Sequence, residues 1–250
     1  MLDIERVYAD FINSHREDHD RKYEKYKEEG WFGASSAGHC FKKQYYKYLS
    51  IEPQGFSDRV ARLLRLGTIV HEDVAKAVKL YRKTSESKIY VEKQVKIPRL
   101  KVLGHIDILE QENGTSRVFD LKTVAGYRWR KKFGRTTKNF KPDPDLDINY
   151  KMQLGSYGLA LVDKSTDVEM YLCWYNKDNS TMKTPIEVDG GWIDEAEAYW
   201  FDLWNTIDEI GNPDEMIPGV TDGVPMNEEW ECNYCPYNHL CNSKFNTKKR

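Results

Sequence analysis

The stretch from Lys101 to Thr123 (KVLGHIDILEQENGTSRVFDLKT) constrains the fold most, because it predicts two strands joined by a tight turn. Asn113 and Gly114 stand between two alternating apolar runs, and Asn-Gly in this position is the strongest short-range signal for a two-residue hairpin loop. With these two residues in the loop, Glu112 faces Thr115. The register of every pair further from the turn then follows.

In that register Asp107 faces Asp120, and Lys122 lies on the same side of the hairpin. The opposite side is apolar and is predicted to face the core; it carries Ile106, Ile108, Phe119 and Leu121. Directly opposed residues have Cβ atoms about 4.5–5.5 Å apart, and like charges at that distance are destabilising. The two carboxylates beside a lysine therefore favour a bound cation. The alternative is a solvated outer face with scattered charges, since a β-bulge would change the register.

Length and composition predict one soluble domain over residues 1–250. A chain of 250 residues can bury a sizeable core, and 31% of its residues are charged. Its mean hydropathy is −0.75, and no apolar run approaches a membrane span. The N-terminal segment is acidic and amphipathic, unlike a secretory signal, so we expect no membrane partner and a cytoplasmic location, or host cytoplasm for a viral protein.

Residues 127–141 (YRWRKKFGRTTKNFK) form a basic segment within a chain of net charge −2. It holds seven Lys and Arg residues, Arg128 and Arg130 among them, and no acidic residue. Trp129 and Phe133 are interleaved with these charges. Basic and aromatic residues together suit a phosphate backbone and stacked bases, so the segment predicts DNA binding. An ordinary solvated loop is the alternative.

The five cysteines divide into one apolar position and a C-terminal group. Cys173 lies in the apolar run MYLCWY and is predicted to be buried. Cys232, Cys235 and Cys241 follow a C-x2-C-x5-C spacing, and two cysteines at this short spacing can bind one metal centre. Cys40 is the candidate for a fourth thiolate, although its spacing does not establish this. Thiolate number alone leaves an iron–sulfur cluster and a zinc ion open, with His239 as a lesser zinc ligand.

The predicted elements alternate between helices and strands, which indicates an α/β (α+β) fold with a central mixed sheet flanked by helices. Helices are predicted over about residues 2–29, 57–81, 147–162 and 191–210, and a further helix is predicted from Ser35 or Ser36 through Cys40 to about residue 49. Strands are predicted over 88–97, the hairpin, 167–175 and 181–188. Ser35 or Ser36 is expected to cap the second helix. The third helix is predicted to bury the stripe Leu63, Leu66, Val70, Val74 and Ala77.

Five motifs in order resemble the PD-(D/E)XK nuclease superfamily, and within it the RecB-type exonucleases that carry an iron–sulfur cluster, including CRISPR-associated and AddB-like nucleases. The motifs are His71 in GTIVHE, Gly104-x-x-Asp107, Asp120-Leu121-Lys122, Gln153-x-x-x-Tyr157, and Cys40 with Cys232, Cys235 and Cys241. The sequence departs from the family pattern at His105, where a basic or polar residue is frequent. The proline of the family's name is absent before Asp107.

The resemblance implies a restriction-endonuclease-like core and a function for each motif. His71, Asp107, Asp120 and the main-chain carbonyl of Leu121 would hold Mg²⁺ or Mn²⁺. Lys122 would orient or help deprotonate the attacking water, and Gln153 with Tyr157 would position the DNA strand. The four cysteines would hold a 4Fe-4S cluster, with residues 30–50 and 226–245 forming a cluster-binding subdomain.

The function that follows is a metal-dependent DNA exonuclease, acting at single-stranded ends in recombination, repair, phage replication or CRISPR adaptation. One alternative is a non-catalytic nucleic-acid-binding module that keeps the fold. Another is an unrelated enzyme whose tail is a zinc-stabilised interaction element.

Overall fold

The computed structural model describes residues 3–55, 57–83, 85–143, 145–209, 231–232, 234–241 and 243. Six strands and six α-helices are defined in these residues. The helices are α1 (Ile4–Glu28), α2 (Phe41–Tyr48), α3 (Asp58–Tyr81), α4 (Gly126–Phe133), α5 (Ile148–Leu159) and α6 (Trp192–Glu209). The strands are β1 (Phe32–Gly33), β2 (Lys88–Ile97), β3 (Val102–Glu112), β4 (Thr115–Val124), β5 (Asp167–Asn176) and β6 (Ile186–Val188).

The strands form one mixed sheet, as the sequence predicts. Its order is β1-β3-β4-β5-β6, and β2 pairs with β3. The β2–β3, β3–β4 and β5–β6 pairs are antiparallel, whereas β1 runs parallel to β3 and β4 runs parallel to β5. The parallel β4–β5 pair is connected through α4 and α5, because parallel neighbours need a long crossover.

The main core lies between the sheet and the helix pair α5–α6. Trp174 of β5 and Tyr199 and Trp200 of α6 are fully buried there. Trp200 donates its indole N–H to Ser156 Oγ at 2.9 Å, which satisfies a polar group inside this aromatic layer. At Gly155 a side chain would overlap the main-chain carbonyl oxygen of Trp192, so the glycine is what allows α5 and α6 to approach closely.

Helix α3 has the predicted extent, but its predicted apolar stripe is not buried. Leu63 and Leu66 are 51% and 50% exposed, and the buried residues of α3 are Ala61 and Gly67. A Cβ at Gly67 would lie 2.8 Å from Thr123 Oγ1 of β4, so the helix meets the sheet through small residues. The stripe prediction failed because helical periodicity shows which residues are apolar and does not show which side a neighbour covers.

Three local predictions also differ from the structure. The basic segment was predicted as a loop, and its first half forms α4. Ser36 does not cap the second helix; its hydroxyl donates to the carbonyl of Gly33 at 2.7 Å, and α2 begins after Cys40. The two-residue strand β1 was not predicted, because two residues carry no recognisable alternation.

None of the helices in the described ranges combines the length and the apolar character that crossing a bilayer requires.

Candidate active site

The hairpin pairs in the predicted register only over the half that is nearer the turn. Glu112 faces Thr115, and the ladder continues to Ile108 opposite Phe119. Beyond that pair the strands separate, so Asp107 and Asp120 are not the directly opposed pair that the sequence predicts. Past this point β4 continues beside β5, while β3 runs between β2 and the short β1. β3 and β4 therefore form a fork, defined by the separation of the two strands beyond Ile108 and Phe119. The two carboxylates lie where this separation begins.

The fork also changes which side chains are buried. Asp120 was predicted on the side of the hairpin opposite the core, with a solvated outer face as the alternative, and it is 1% exposed. Of the predicted core residues, Ile106 and Leu121 are buried, whereas Ile108 and Phe119 are half-buried. Helices cover both sides of the sheet at this position, so neither side of the hairpin is a simple solvent face.

Helix α5 supplies the side chains that hold Asp120 and Lys122 in place. Lys122 Nζ lies 2.6 Å from Asp120 Oδ2 and donates to Gln153 Oε1 at 2.8 Å. The amide nitrogen of Gln153 lies 3.2 Å from Asp120 Oδ1 and 2.7 Å from the Tyr157 hydroxyl. Gln153 and Tyr157 are 8% and 3% exposed, and a Cβ at Gly104 would lie 2.5 Å from the Tyr157 ring. The Gly104 position thus leaves room for the ring.

Asp107 connects β3 to both β4 and α3. Its Oδ2 atom accepts a hydrogen bond from the backbone N–H of Leu121 at 2.7 Å. The same oxygen lies 3.5 Å from His71 Nδ1. The structure therefore brings His71, Asp107, Asp120, Leu121 and Lys122 together, although His71 lies far from the others in sequence.

The charges of the cluster shift the pKa values of its members. Burial raises the pKa of Asp120 to about 6, and the charge of Asp107 adds to this while Lys122 opposes it. For His71, burial lowers the pKa, but the hydrogen bond and charge of Asp107, with Asp120, outweigh burial and leave the pKa raised. A buried carboxyl group whose ionisation is opposed by a neighbouring carboxylate is one that a bound cation would stabilise in its charged form.

A third carboxylate at the site was missed by sequence reasoning. Glu92 lies opposite Asp107 in the register set by the pairs Val91–Ile108 and Lys93–Ile106. Its backbone has a φ of 53°, a left-handed value that is uncommon for glutamate. Burial and then the charge of Asp107 raise the pKa of Glu92. From the sequence, Glu92 can be assigned to a strand. Its position opposite Asp107 cannot be predicted, because the β2–β3 register has no turn signal comparable to Asn-Gly.

A match to the PD-(D/E)XK nuclease superfamily covers residues 52–242. The chain belongs to this superfamily. The matched region contains His71, the fork between β3 and β4, the α5 residues and the C-terminal cysteines. The RecB-type branch with an iron–sulfur cluster is a finer assignment, which the superfamily match does not reach.

The solved structures that are similar to this chain are distant from it in sequence. A candidate exonuclease from Eubacterium rectale shares 12% identity, covers 82% of this chain and 90% of its own, and has a TM-score of 0.51. SSO0001 shares 18% identity over 88% of this chain and 93% of its own, with a TM-score of 0.49. The alkaline exonuclease LHK-Exo from Laribacter hongkongensis shares 15% over 74% and 93%, with a TM-score of 0.42. A search of curated protein sequences gave no match.

Helix α4 carries the predicted DNA-binding arginines next to the site. Arg128 donates to the carbonyl of Leu146 at 3.0 Å and lies over the Tyr150 ring, whereas Arg130 is exposed with its guanidinium 5.5 Å from the Phe140 ring. Lys122 Nζ lies 4.7 Å from the centre of the same Tyr150 ring. Tyr150 therefore connects α4 to Lys122.

The cysteine tail folds back onto the N-terminal part of the chain. Tyr237 packs against Tyr46 of α2 with ring centres 5.3 Å apart. The backbone N–H of Gln54 donates to the carbonyl of Pro236 at 2.9 Å. Glu231 Oε1 accepts from the backbone N–H of Cys40 at 3.0 Å, which ties the start of α2 to the tail.

This docking brings the four predicted cluster cysteines within electrostatic reach of one another. Burial raises the pKa of Cys40 to about 12, and Glu231 and Cys235 contribute in the same direction. Burial also raises the pKa of Cys232 to about 11, with further contributions from Cys241, Glu231 and Cys235. Buried thiols of this kind resist ionisation unless a cation compensates their charge.

Neither the carboxylate cluster at the fork nor the group of cysteines has the geometry of a completed metal site. Among the residues that the structure describes, no three His, Cys, Asp or Glu side chains form a group that could hold a metal ion. Support for a metal at either place therefore comes from the chemical type of the donor atoms and not from their geometry. Of the predicted cluster-binding subdomain, residues 226–230, 233, 242 and 244–245 lie outside the described residues.

Proposed function

We propose that this protein is a divalent-cation-dependent DNA exonuclease that hydrolyses phosphodiester bonds at single-stranded ends. The observation that carries the proposal is the buried Asp120–Lys122 pair at 2.6 Å, held by Gln153 and placed beside Asp107 and His71. A buried ion pair is weak evidence for stability, because desolvation offsets much of its attraction. A pair of this kind at the open end of a fork is better explained by chemistry.

His71, Asp107, Asp120 and the carbonyl of Leu121 would hold the cation. Carboxylate and carbonyl oxygens are preferred ligands of Mg²⁺, and the imidazole makes Mn²⁺ equally acceptable. Such an ion, when bound, lowers the pKa of a water and neutralises charge on the phosphate. Burial and the charge of Asp107 raise the pKa of Asp120, and the ion would compensate the negative charge that they disfavour.

The remaining residues would position the reacting groups. Lys122 presents an ammonium beside the carboxylates, where it would donate to the attacking water or to a phosphate oxygen. Gln153 holds Lys122 through its carbonyl and Asp120 through its amide, so it would keep the pair in one orientation. With its side chain used in this way, Gln153 and its partner Tyr157 act on the strand indirectly.

Two observations support DNA ends as the substrate. The E. rectale structure, which shares the fold, is described as a candidate exonuclease. Arg128 of α4 and Lys122 lie over the same Tyr150 ring, and the exposed Arg130 on this helix suits a phosphate backbone. The processes that require such an activity include recombination, repair, phage replication and CRISPR adaptation.

For the cysteine tail we propose a structural 4Fe-4S cluster held by Cys40, Cys232, Cys235 and Cys241, with zinc as the lesser option. The support is that Glu231 and Tyr237 bring the cysteine tail against α2 beside Cys40, and that Cys40 and Cys232 are buried. Such a cluster would connect residues 30–50 with residues 226–245. Visible absorbance and iron analysis of the purified protein distinguish the cluster from colourless zinc.

Digestion of end-labelled DNA tests the proposed function. The substrates are single- and double-stranded oligonucleotides labelled at either end and a closed circular single strand, each with Mg²⁺ or Mn²⁺. We expect stepwise shortening of the linear single strand in the presence of either metal and little attack on the circle. DNA binding without hydrolysis in both metals would instead indicate a non-catalytic binding module that retains the fold.

A further inference from the structure

We propose that a cavity beside the catalytic cluster is a subsite for an unpaired nucleobase of the DNA strand. The inference rests on the proposed function and specifies its substrate. The cavity has a volume of about 300 Å³. That volume is at the lower end of the range for small-molecule sites, roughly 300–1,000 Å³. Its walls include Tyr23, Tyr26, Lys27, Trp31, His105 and Tyr157.

The cavity lies about one nucleotide from the proposed cation. His105 of its wall precedes Asp107 by two positions in β3, which corresponds to about 6–7 Å along a strand. Tyr157 forms another part of the wall and is hydrogen-bonded to Gln153, the residue that holds Asp120 and Lys122. A base in the cavity would therefore be attached close to the phosphate under attack.

The walls have the chemistry that binds a base without reading its identity. Tyr23 meets the His105 ring edge-on at 5.4 Å, and Tyr26 meets Trp31 edge-on at 5.7 Å. These rings are half-buried, so part of each is open to the cavity. Aromatic side chains stack on any base, because every base has a π face.

Lys27 of the wall, and Lys96, which lies outside the wall but contacts Tyr26, bring positive charge to the cavity. Lys96 Nζ donates to the Tyr26 hydroxyl at 2.7 Å and lies 4.5 Å from the centre of its ring. Lys27 is exposed and belongs to the cavity wall. Ammonium groups beside stacking rings fit a base joined to an anionic backbone better than they fit an apolar ligand.

This subsite would select single strands. A base within a duplex reaches such a cavity only after it is unpaired and unstacked, which costs a few kcal/mol. At a frayed or single-stranded end the base is already unpaired, so this free energy is not required. The cavity thus accounts for the proposed preference for single-stranded ends through the shape of the protein.

An abasic scan tests the subsite on the wild-type protein. A tetrahydrofuran residue, which lacks the base, is moved one position at a time along a linear single strand, and the cleavage rate at each position is measured. We expect a loss of about ten-fold or more at one offset from the cleaved bond, since base–aromatic stacking contributes roughly 1–3 kcal/mol. A loss below two-fold at every offset would overturn the proposal.

Variants of Tyr23 assign that loss to the cavity. Tyr23→Ala should slow cleavage of the intact strand. In this variant the abasic residue should lower the cleavage rate little further, because the two changes remove the same contact. Tyr23→Phe keeps the ring and should keep the wild-type abasic penalty. Tyr8→Ala, on the same helix but outside the cavity, is the matched control. An unchanged abasic penalty in Tyr23→Ala would contradict the inference.

A binding measurement separates this proposal from the proposed function. Single-stranded DNA containing 2-aminopurine is titrated with protein in the absence of metal. Fluorescence quenching at one position, lost in Tyr23→Ala, supports the subsite even where no cleavage occurs and the proposed function has failed. Cleavage of DNA without such quenching and without an abasic effect would leave the nuclease standing and refute the subsite.

Discussion

At the scale of single residues, the site depends on side chains that restrain one another. Asp107 is held by the backbone of Leu121, and Asp120 by Lys122 and Gln153. The hairpin register indicated Asp107, Asp120 and Lys122 from the sequence, and the family resemblance added His71. The burial of Asp120 could not be selected in this way, because it depends on α5 packing over the fork.

Replacing Lys122 tests whether it takes part in the chemistry. We expect Lys122→Met to lower the cleavage rate by about 10²–10³-fold, the usual cost of removing one group that stabilises developing charge. DNA binding should fall by much less, because the exposed basic segment is intact. Lys138→Met, which removes a charge from that segment, is the control. Equal cleavage rates in the two variants would exclude a catalytic role for Lys122.

The raised pKa of Asp120 predicts a pH-dependent stability in the absence of metal. The folded protein holds this proton up to about pH 6, while the ordinary value is 3.8. The folded state therefore binds more protons than the unfolded state in this range. The contribution of the protonated Asp120 carboxyl group to stability is lost as pH rises from about 4 to about 6. Asp120→Asn should remove this dependence.

The measurement is the free energy of unfolding by denaturant in chelator, at pH 4 to 7, for wild type and Asp120→Asn. Titrating groups outside the cluster cancel in the difference between the two proteins. The difference should favour wild type most at the acid end. A difference that does not change with pH would show that Asp120 has an ordinary pKa in the folded protein.

At the scale of elements, the local patterns identified most of the helices and strands. Asn113-Gly114 gave the register of the half of the hairpin that is nearer the turn, and β2 and α3 end close to the predicted residues. The fork was not predictable, because β4 leaves β3 for β5, and pairing with a strand more than forty residues later leaves no mark on the hairpin sequence. Helix α4 was missed because the charges of its segment masked its helical periodicity.

The contact between α5 and α6 predicts an effect of Gly155. A side chain there would overlap the carbonyl oxygen of Trp192, which belongs to the backbone and has little freedom to move. We expect Gly155→Ala to lower the free energy of unfolding by about 1–3 kcal/mol, as overpacking does in other cores. Gly190→Ala, where nothing lies within 4 Å of the added Cβ, is the control and should change stability by less than about 0.5 kcal/mol. Urea denaturation of both variants decides the point, and similar midpoints would contradict the packing argument.

At the scale of the whole molecule, the cysteine tail packs against α2, a distant part of the sequence. Glu231 accepts a hydrogen bond from the backbone N–H of Cys40, and Tyr237 packs against Tyr46. A metal centre held by Cys40 and the tail would couple metal binding to folding. The sequence indicated the four cysteines, but the docking of the tail on α2 required the three-dimensional fold.

Removing one cysteine tests this coupling. Cys40→Ser should lose most of the bound iron, or zinc, and lower the melting temperature by about 5 °C or more, since each kcal/mol corresponds to roughly 2–4 °C in a chain of this size. Cys173→Ala, on β5, is the matched control and should keep the metal. Metal analysis and thermal unfolding provide the readouts. Full metal content in Cys40→Ser would remove that residue from the proposed ligand set.

The central claim is that the carboxylates at the mouth of the fork hold a divalent cation, and Mn²⁺ binding tests it most directly. Calorimetric titration of Mn²⁺ near neutral pH compares wild type with Asp120→Asn, using Asp163→Asn, on the protein surface, as the control. The account predicts that wild type and the control bind the ion with similar affinity, and that Asp120→Asn binds it at least about ten-fold more weakly, as expected when a ligand charge is lost. Equal affinity in all three proteins would contradict the account.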